Sequence, residues 1–192
     1  MKLATATLYS TSPYSQSRAY DRSVPKGERE NNEDYRERTW REHCHYDATS
    51  KEVYIPPSAF KNIMSEAAKF KPRQIPGQGK ATYTKHIEAG VMVTELIFLG
   101  IKLDEVGRDD LFLPADGKRG SGKRVWKTYP RIDSWEAEVP FLILDEMVTK
   151  SVFEATLEEA GSYIGLGRFR PRNNGFYGRF KVKSITWANM DE

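Results

Sequence analysis

Residues 2–9 (KLATATLY) alternate, with Ala4, Ala6 and Leu8 on one side and Leu3, Thr5, Thr7 and Tyr9 on the other, which predicts a first strand. From Ser10 to about Ser50 the chain is polar and charged without an apolar face, and reads as a surface insertion or extended arm. Val53–Ile55 predicts a short strand. Ser58 then stands as a helix N-cap before Phe60, Ile63, Met64, Ala67 and Ala68 at helical spacing. A Pro/Gly-rich basic loop (71–80) leads to AGVMVTELIFLGIKL, whose β-branched content favours a buried strand. LFLPADGKRGSGKR reads as a strand end and a long glycine-rich loop. WEAEVPFLILD is a further strand, in which Pro140 suggests an edge position or a bulge. TKSVFEATLEEAGSYIG predicts a second helix with Gly161 or Gly165 as its stop. FYGRFKVKSITW is the final strand, with Phe176, Gly178, Phe180, Val182 and Ser184 on one face. The order strand, helix, strand, strand, helix, strand is that of an α+β, ferredoxin-like antiparallel sheet with two helices and long insertions. We expect one domain over 1–192, with a polar arm at about 10–52 and a thumb-like loop at about 104–131.

Composition narrows the class. The chain has 192 residues, and no apolar run approaches the roughly 20 needed to span a bilayer. The first residues lack the apolar core of a secretory signal, and the single cysteine, Cys44, allows no internal disulfide. A cytoplasmic protein without membrane, metal or cofactor is expected.

Net charge is only +3, from 30 Lys+Arg against 27 Asp+Glu, but the charges are segregated. Segments 67–87, 118–131 and 165–183 hold 17 of the basic residues and no acidic one. Basic patches on an otherwise acidic body are the footprint of a polyanion binder.

The third segment is the richest in chemistry. After a predicted helix come Gly165 and Gly167, then Arg168, Arg170 and Arg172, then Gly175 and Gly178, then a strand. Glycine lets backbone approach a ligand, and Arg interleaved with Phe169, Phe176 and Tyr177 supplies phosphate contacts and stacking faces together.

At these residues the sequence resembles a family. IPPSAFKNIMSEAAKF (55–70) is similar to the "Ile-Pro-x-Ser-x-x-Lys" strand-to-helix segment of the RAMP superfamily, the RNA-binding backbone of CRISPR effector complexes. AGSYIGLGRFRPRNNGFYGRFKV (160–182) is similar to that superfamily's C-terminal glycine-rich loop. The whole also resembles proteins of tailed-phage and prophage genomes. The resemblance implies an RRM/RAMP-type ferredoxin-like fold, a guide-strand backbone held by the glycine-rich loop and the basic helix face, and a thumb reaching a neighbouring subunit. By matching position it singles out Ser58 and Lys61 in the first motif, and Gly165, Gly167, Arg168, Arg170, Gly175 and Gly178 in the second.

The expected function is non-catalytic, backbone-directed binding of single-stranded RNA or DNA, with copies assembling along the strand as a homo-oligomer or filament. The setting would be phage replication or recombination, or interference with a host CRISPR complex. Lys80, Lys85, Lys118, Arg119, Lys123, Arg124, Arg168, Arg170, Arg172 and Arg179 are the candidate phosphate contacts, and Tyr83, Trp126 and Tyr177 the candidate stacking faces. The alternatives are a metal-independent endoribonuclease using His86 as general acid or base, and a protein-interaction module with an acidic partner.

Three other motifs lead elsewhere. The run from Gly117 to Arg124 approaches a phosphate-binding G-x-x-x-x-G-K-[ST] loop, but Arg124 replaces the Mg²⁺-holding hydroxyl. Ser58-Ala-Phe-Lys61 matches S-x-x-K without the partner motifs of a serine acyl enzyme. His43-Cys44-His45 would point to alternate sides of an extended chain, with no further cluster to complete four ligands.

Overall fold

The computed structural model describes residues 1–116, 120 and 122–190. Its elements in chain order are β1 (Lys2–Ser10), α1 (Asn32–Thr39), β2 (Glu52–Ile55), α2 (Pro57–Phe70), α3 (Thr84–Gly90), β3 (Val91–Val93), β4 (Ile97–Lys102), β5 (Gly107–Pro114), β6 (Arg124–Arg131), β7 (Glu136–Ile143), α4 (Lys150–Glu159) and β8 (Phe180–Asn189). The central sheet has the order β3-β7-β1-β8, antiparallel throughout. Counting only its own strands, that is the 2-3-1-4 order of a ferredoxin-like domain, with α2 and α4 as the two crossover helices. The fold is α+β and ferredoxin-like, as the element order predicts. Among the described residues, no helix is long and apolar enough to cross a membrane.

The strand alternation explains which face is covered. Ala4, Ala6 and Leu8 are completely buried, and their small side chains let the helices lie close to β1. α2 buries Phe60, Ile63, Met64, Ala67 and Ala68; α4 buries Phe153, Thr156 and Leu157. Between them Phe141 of β7 meets Phe60 and Phe153 edge-on, with ring centroids 6.1 and 5.2 Å apart, and Phe153 meets Trp187 of β8 at 5.5 Å. Offset or edge-on rings add about 0.5–1.5 kcal/mol per pair to the burial itself.

Local chemistry corrects several sequence expectations. α2 starts at Pro57, whose fixed φ suits a first helical position; Pro56 precedes it, and Ser58 is exposed inside the helix rather than capping it. α4 takes Thr149 as its cap, accepting from the Val152 amide at 3.3 Å. A single turn of π-helix (Ala160–Ile164) follows, ended by Gly165 at φ +74°. Pro140 lies in a central strand. It is tolerated because β1 pairs along the whole of β7 while β3 pairs only with Phe141–Ile143, so the missing amide falls where the strand is locally an edge. A register shift between Thr7 and Leu8 leaves Lys183 unpaired on β8. That bulge rephases the strand, so Ile185 and Trp187 face inward and Ser184 outward.

The insertions are more structured than their sequences suggest. The segment 91–101 is two strands: β3 belongs to the main sheet, and β4 pairs with β2 in a separate ribbon. A short helix, α3, occupies Thr84–Gly90, where no element was expected. The thumb-like loop is a regular β5–β6 hairpin in register from Gly107↔Arg131 to Pro114↔Arg124. The arm contributes buried Tyr14, Trp40 and Cys44 to the core, with α1 capped by Asn31.

Candidate nucleic-acid interface

The loop between α4 and β8 folds back on itself and on the arm, and this requires its glycines. Gly167, Gly175 and Gly178 each sit so close to backbone (Ser15, Phe169 and Leu166 respectively) that a Cβ would overlap it, and Gly165 is closed in by Pro171. The loop is pinned by Leu166 N–H to the Gly178 carbonyl (2.9 Å), Gly178 N–H to the Pro13 carbonyl (2.7 Å) and Arg168 N–H to the Ser15 carbonyl (3.0 Å). These glycines are thus accounted for by packing within the chain rather than by ligand approach.

The pinned loop and α2 form the walls of a groove of about 500 Å³. Asn62 and Glu66 line it from the helix, Arg168, Arg170 and Asn173 from the loop, and Ser17 from the arm. Arg170 is steered by an ion pair to Glu66 (2.8 Å). Arg168 lies against two rings, its Cζ 3.0 Å from the Tyr129 centroid and 4.2 Å from that of Phe169. Its Nη1 is buried and has no hydrogen-bond partner among the described residues. A guanidinium cannot shed its charge in a protein, so two arginines lining one polar groove favour an anion there.

One helical turn beyond the groove-lining Glu66, at the C-terminal end of α2, stand two exposed rings. Phe70 and Tyr163 are 48% and 46% exposed, with centroids 5.9 Å apart. Lys71 Nζ stands 4.2 Å from the Tyr163 ring, and Arg172 Cζ 5.6 Å from Phe70. Neither ring was singled out by sequence. A signal was present: Phe70 lies between two lysines at the very end of α2, two turns on from Ile63 at the margin of the buried face.

The other candidate residues distribute as follows. Tyr83 is buried at 8% exposure beside His86, so it offers no stacking face. Tyr177 is half-buried and donates its hydroxyl to Asp109 (3.0 Å), while neighbouring Phe176 is 65% exposed. Arg179 donates to the Phe176 carbonyl, and Lys61 to that of Glu88. Trp126 is 59% exposed on the hairpin, paired with Phe112 at 5.3 Å, with Arg124 over the Phe112 ring. Lys80, Lys85, Lys123 and Arg124 are exposed and do not line the groove. Lys118 and Arg119 lie outside the described residues.

The acid-free segments acquire acids in three dimensions. Arg73 is held bidentate by Glu159, both contacts 2.8 Å, and Lys71 reaches the same carboxylate at 3.6 Å. Lys69 pairs with Glu88 and Arg131 with Asp133. The basic surface is therefore smaller than the sequence tally implies, and Arg172, exposed and unpaired among the described residues, is its least encumbered member beside the groove.

A ladder of rings joins the arm, the hairpin and the loop. His43 lies 4.8 Å from both Tyr20 and Tyr129, and Tyr129 carries Arg168. Burial lowers the pKa values of His43 and His45 and pushes the Cys44 thiol up to about 12, leaving an inert buried cysteine. His86 lies away from the groove, its Nδ1 2.7 Å from Asp145 Oδ2, and this bond lowers the Asp145 pKa.

No protein-family model matches the chain, and a search of curated proteins returns no match. Among solved structures, a chain of the type III-B Cmr-β complex bound to cognate target RNA superposes with a TM-score of 0.51 at 11% identity, over 97% of this chain and 60% of that one. The present chain thus spans about three-fifths of that chain's length. A chain of a CRISPR RNA-guided surveillance complex gives a TM-score of 0.35 at 12% identity, over 83% and 58% of the two chains. The first likeness concerns the fold, and it agrees with the ferredoxin-like sheet order; the second adds nothing to it.

Proposed function

We propose that this protein binds single-stranded nucleic acid, RNA in the first instance, by its backbone, in the groove between α2 and the loop 165–179. The observation that carries the reading is the lining of that groove, where Arg168 and Arg170 stand with Asn173 on the loop side, facing Asn62 of α2. Phosphates would take the free donors of Arg168, Arg170 and Arg172. Phe70 and Tyr163 would stack a base emerging from the groove, a contact worth about 1–3 kcal/mol and indifferent to sequence. The hairpin, with Phe112 and Trp126 exposed, would serve as the thumb. RNA is preferred over DNA because the fold is shared with a chain from a complex whose bound ligand is RNA. A CRISPR-related role, as a subunit or a mimic of one, follows from the same likeness; phage origin and assembly along a strand extend it.

Ultraviolet crosslinking of a single-stranded RNA to the purified protein, read by peptide mass spectrometry, tests the location. Crosslinks should map to Phe70, Tyr163 and the 165–179 loop; crosslinks confined to the hairpin or the 71–80 loop would overturn it.

One observation favours a second reading. Asp145 orients the His86 imidazole as a carboxylate orients a catalytic histidine, which suits general acid–base chemistry on RNA. Metal-independent cleavage should then survive EDTA and vanish in His86→Ala with binding intact; RNA left whole by the wild type would remove this reading.

A further inference from the structure

The four-stranded sheet has its helices on one face only, and the pairing registers place the residues of the other face in rows. At one end Leu142 stands opposite Met92 on β3 and Leu3 on β1, and Leu3 stands opposite Ala188 on β8. Pro140 lies in the next row, and Leu144, just past β7, is 47% exposed. Leu3, Met92, Pro140 and Leu142 are only partly buried and pack neither within the core nor against it. A solvated face of an antiparallel sheet ordinarily carries polar residues. Here that holds from the middle of the face onward: Thr5 and Thr186 share the row of Pro140, Glu138, Thr7 and Ser184 form the next, and Glu136, Tyr9 and Lys181 the last.

We propose that this open face docks a second copy of the chain, sheet on sheet, through its apolar end. The face is self-complementary about a two-fold axis lying along β1. That axis stacks each row on its own copy and sets β7 of one subunit over β8 of the other. The branched Leu142 then meets the small Ala188, and Glu138, beside a Glu136 already paired with Lys183 of its own chain (2.7 Å), meets the strand bearing Lys181. Such an isologous contact closes at two copies and leaves no free sticky surface. The axis overlaps β7, β1 and β8 and leaves β3 outside; three strands at about 4.8 Å spacing and eight residues at about 3.4 Å give roughly 400 Å² of flat sheet per copy. Even with side-chain relief this stays below the about 800 Å² per partner of a standard interface, so a weak dimer, of high-micromolar strength, is expected. A nucleic-acid strand is the poorer occupant, because the apolar rows offer neither aromatic rings nor cations. This docking is independent of the groove and uses neither the arm nor the hairpin.

Sedimentation equilibrium of the nuclease-treated full chain over about a hundredfold range of concentration tests it. The wild type should pass from monomer to dimer. Leu144→Glu, an exposed position, should weaken the dimer at least about tenfold with an unchanged unfolding curve, and Leu142→Glu should do so more strongly. Trp126→Ala, on the hairpin, should leave association as it is. A wild type monomeric at every concentration, a dimer indifferent to Leu144→Glu, or one abolished by Trp126→Ala would each overturn the proposal. If Leu142→Glu fails to fold, Leu144→Glu decides alone.

Discussion

Replacing Gly178 by alanine separates the two explanations for a glycine-rich loop. Gly178 has φ +79°, and an added Cβ would overlap the Leu166 carbonyl oxygen and stand 2.7 Å from the Leu166 amide nitrogen. The left-handed conformation alone costs a residue with a Cβ about 1–2 kcal/mol. Relieving the overlap means opening the Leu166 N–H bond to the Gly178 carbonyl and the Gly178 N–H bond to that of Pro13, each worth about 1 kcal/mol net. The expected loss is thus about 3–4 kcal/mol, near the upper end for single substitutions, or about 10 °C in melting temperature for a chain of this size. Gly77 is the control: its φ is +76°, but nothing lies within 4 Å of its Cβ position, so Gly77→Ala should cost only about 1–2 kcal/mol. Urea unfolding followed by circular dichroism gives both numbers. If Gly178→Ala were no more destabilising than Gly77→Ala, the loop would not be held by the packing described, and ligand approach would again be the better reason for its glycines.

Other perturbations follow from the same structure. Phe141, fully buried among Phe60 and Phe153, should lose about 3–5 kcal/mol on truncation to alanine; a denaturation midpoint near wild type would mean the core is not organised around it. His43 and His45 have folded pKa values below their unfolded value near 6.5, so the unfolded chain binds more protons between the two. The stability they contribute is complete above about pH 6.5 and is lost as pH falls toward the folded values, so the urea midpoint should drop on acidification and His45→Gln should lessen the drop. A midpoint that rises on acidification would contradict this sign.

The core was legible in sequence because its elements are long and cleanly periodic. Ala4, Ala6 and Leu8 alternate, and Phe60 to Ala68 repeat at helical spacing. The arm was not, because Tyr14, Trp40 and Cys44 are spaced irregularly and find partners only in distant segments. The hairpin was hidden by charges within it, since Arg108 and Asp110 satisfy each other across one face. Charge segregation drew attention to the loop 165–183. It could not show that Glu66 and Glu159, outside the acid-free segments, neutralise Arg170 and Arg73. Nor could it show that Tyr83 turns inward while Phe70 turns out, which depends on how α3 packs against α2.

The central claim is tested most directly by the salt dependence of binding. Fluorescence anisotropy of a labelled single-stranded RNA should show binding at low salt, with log affinity falling linearly in log salt by roughly 0.7 per phosphate neutralised. The variant carrying Arg170→Ala and Arg172→Ala should flatten that slope by about 1–2. No binding at low salt, or a slope the double variant leaves unchanged, would contradict a strand held in the groove between α2 and the glycine-rich loop.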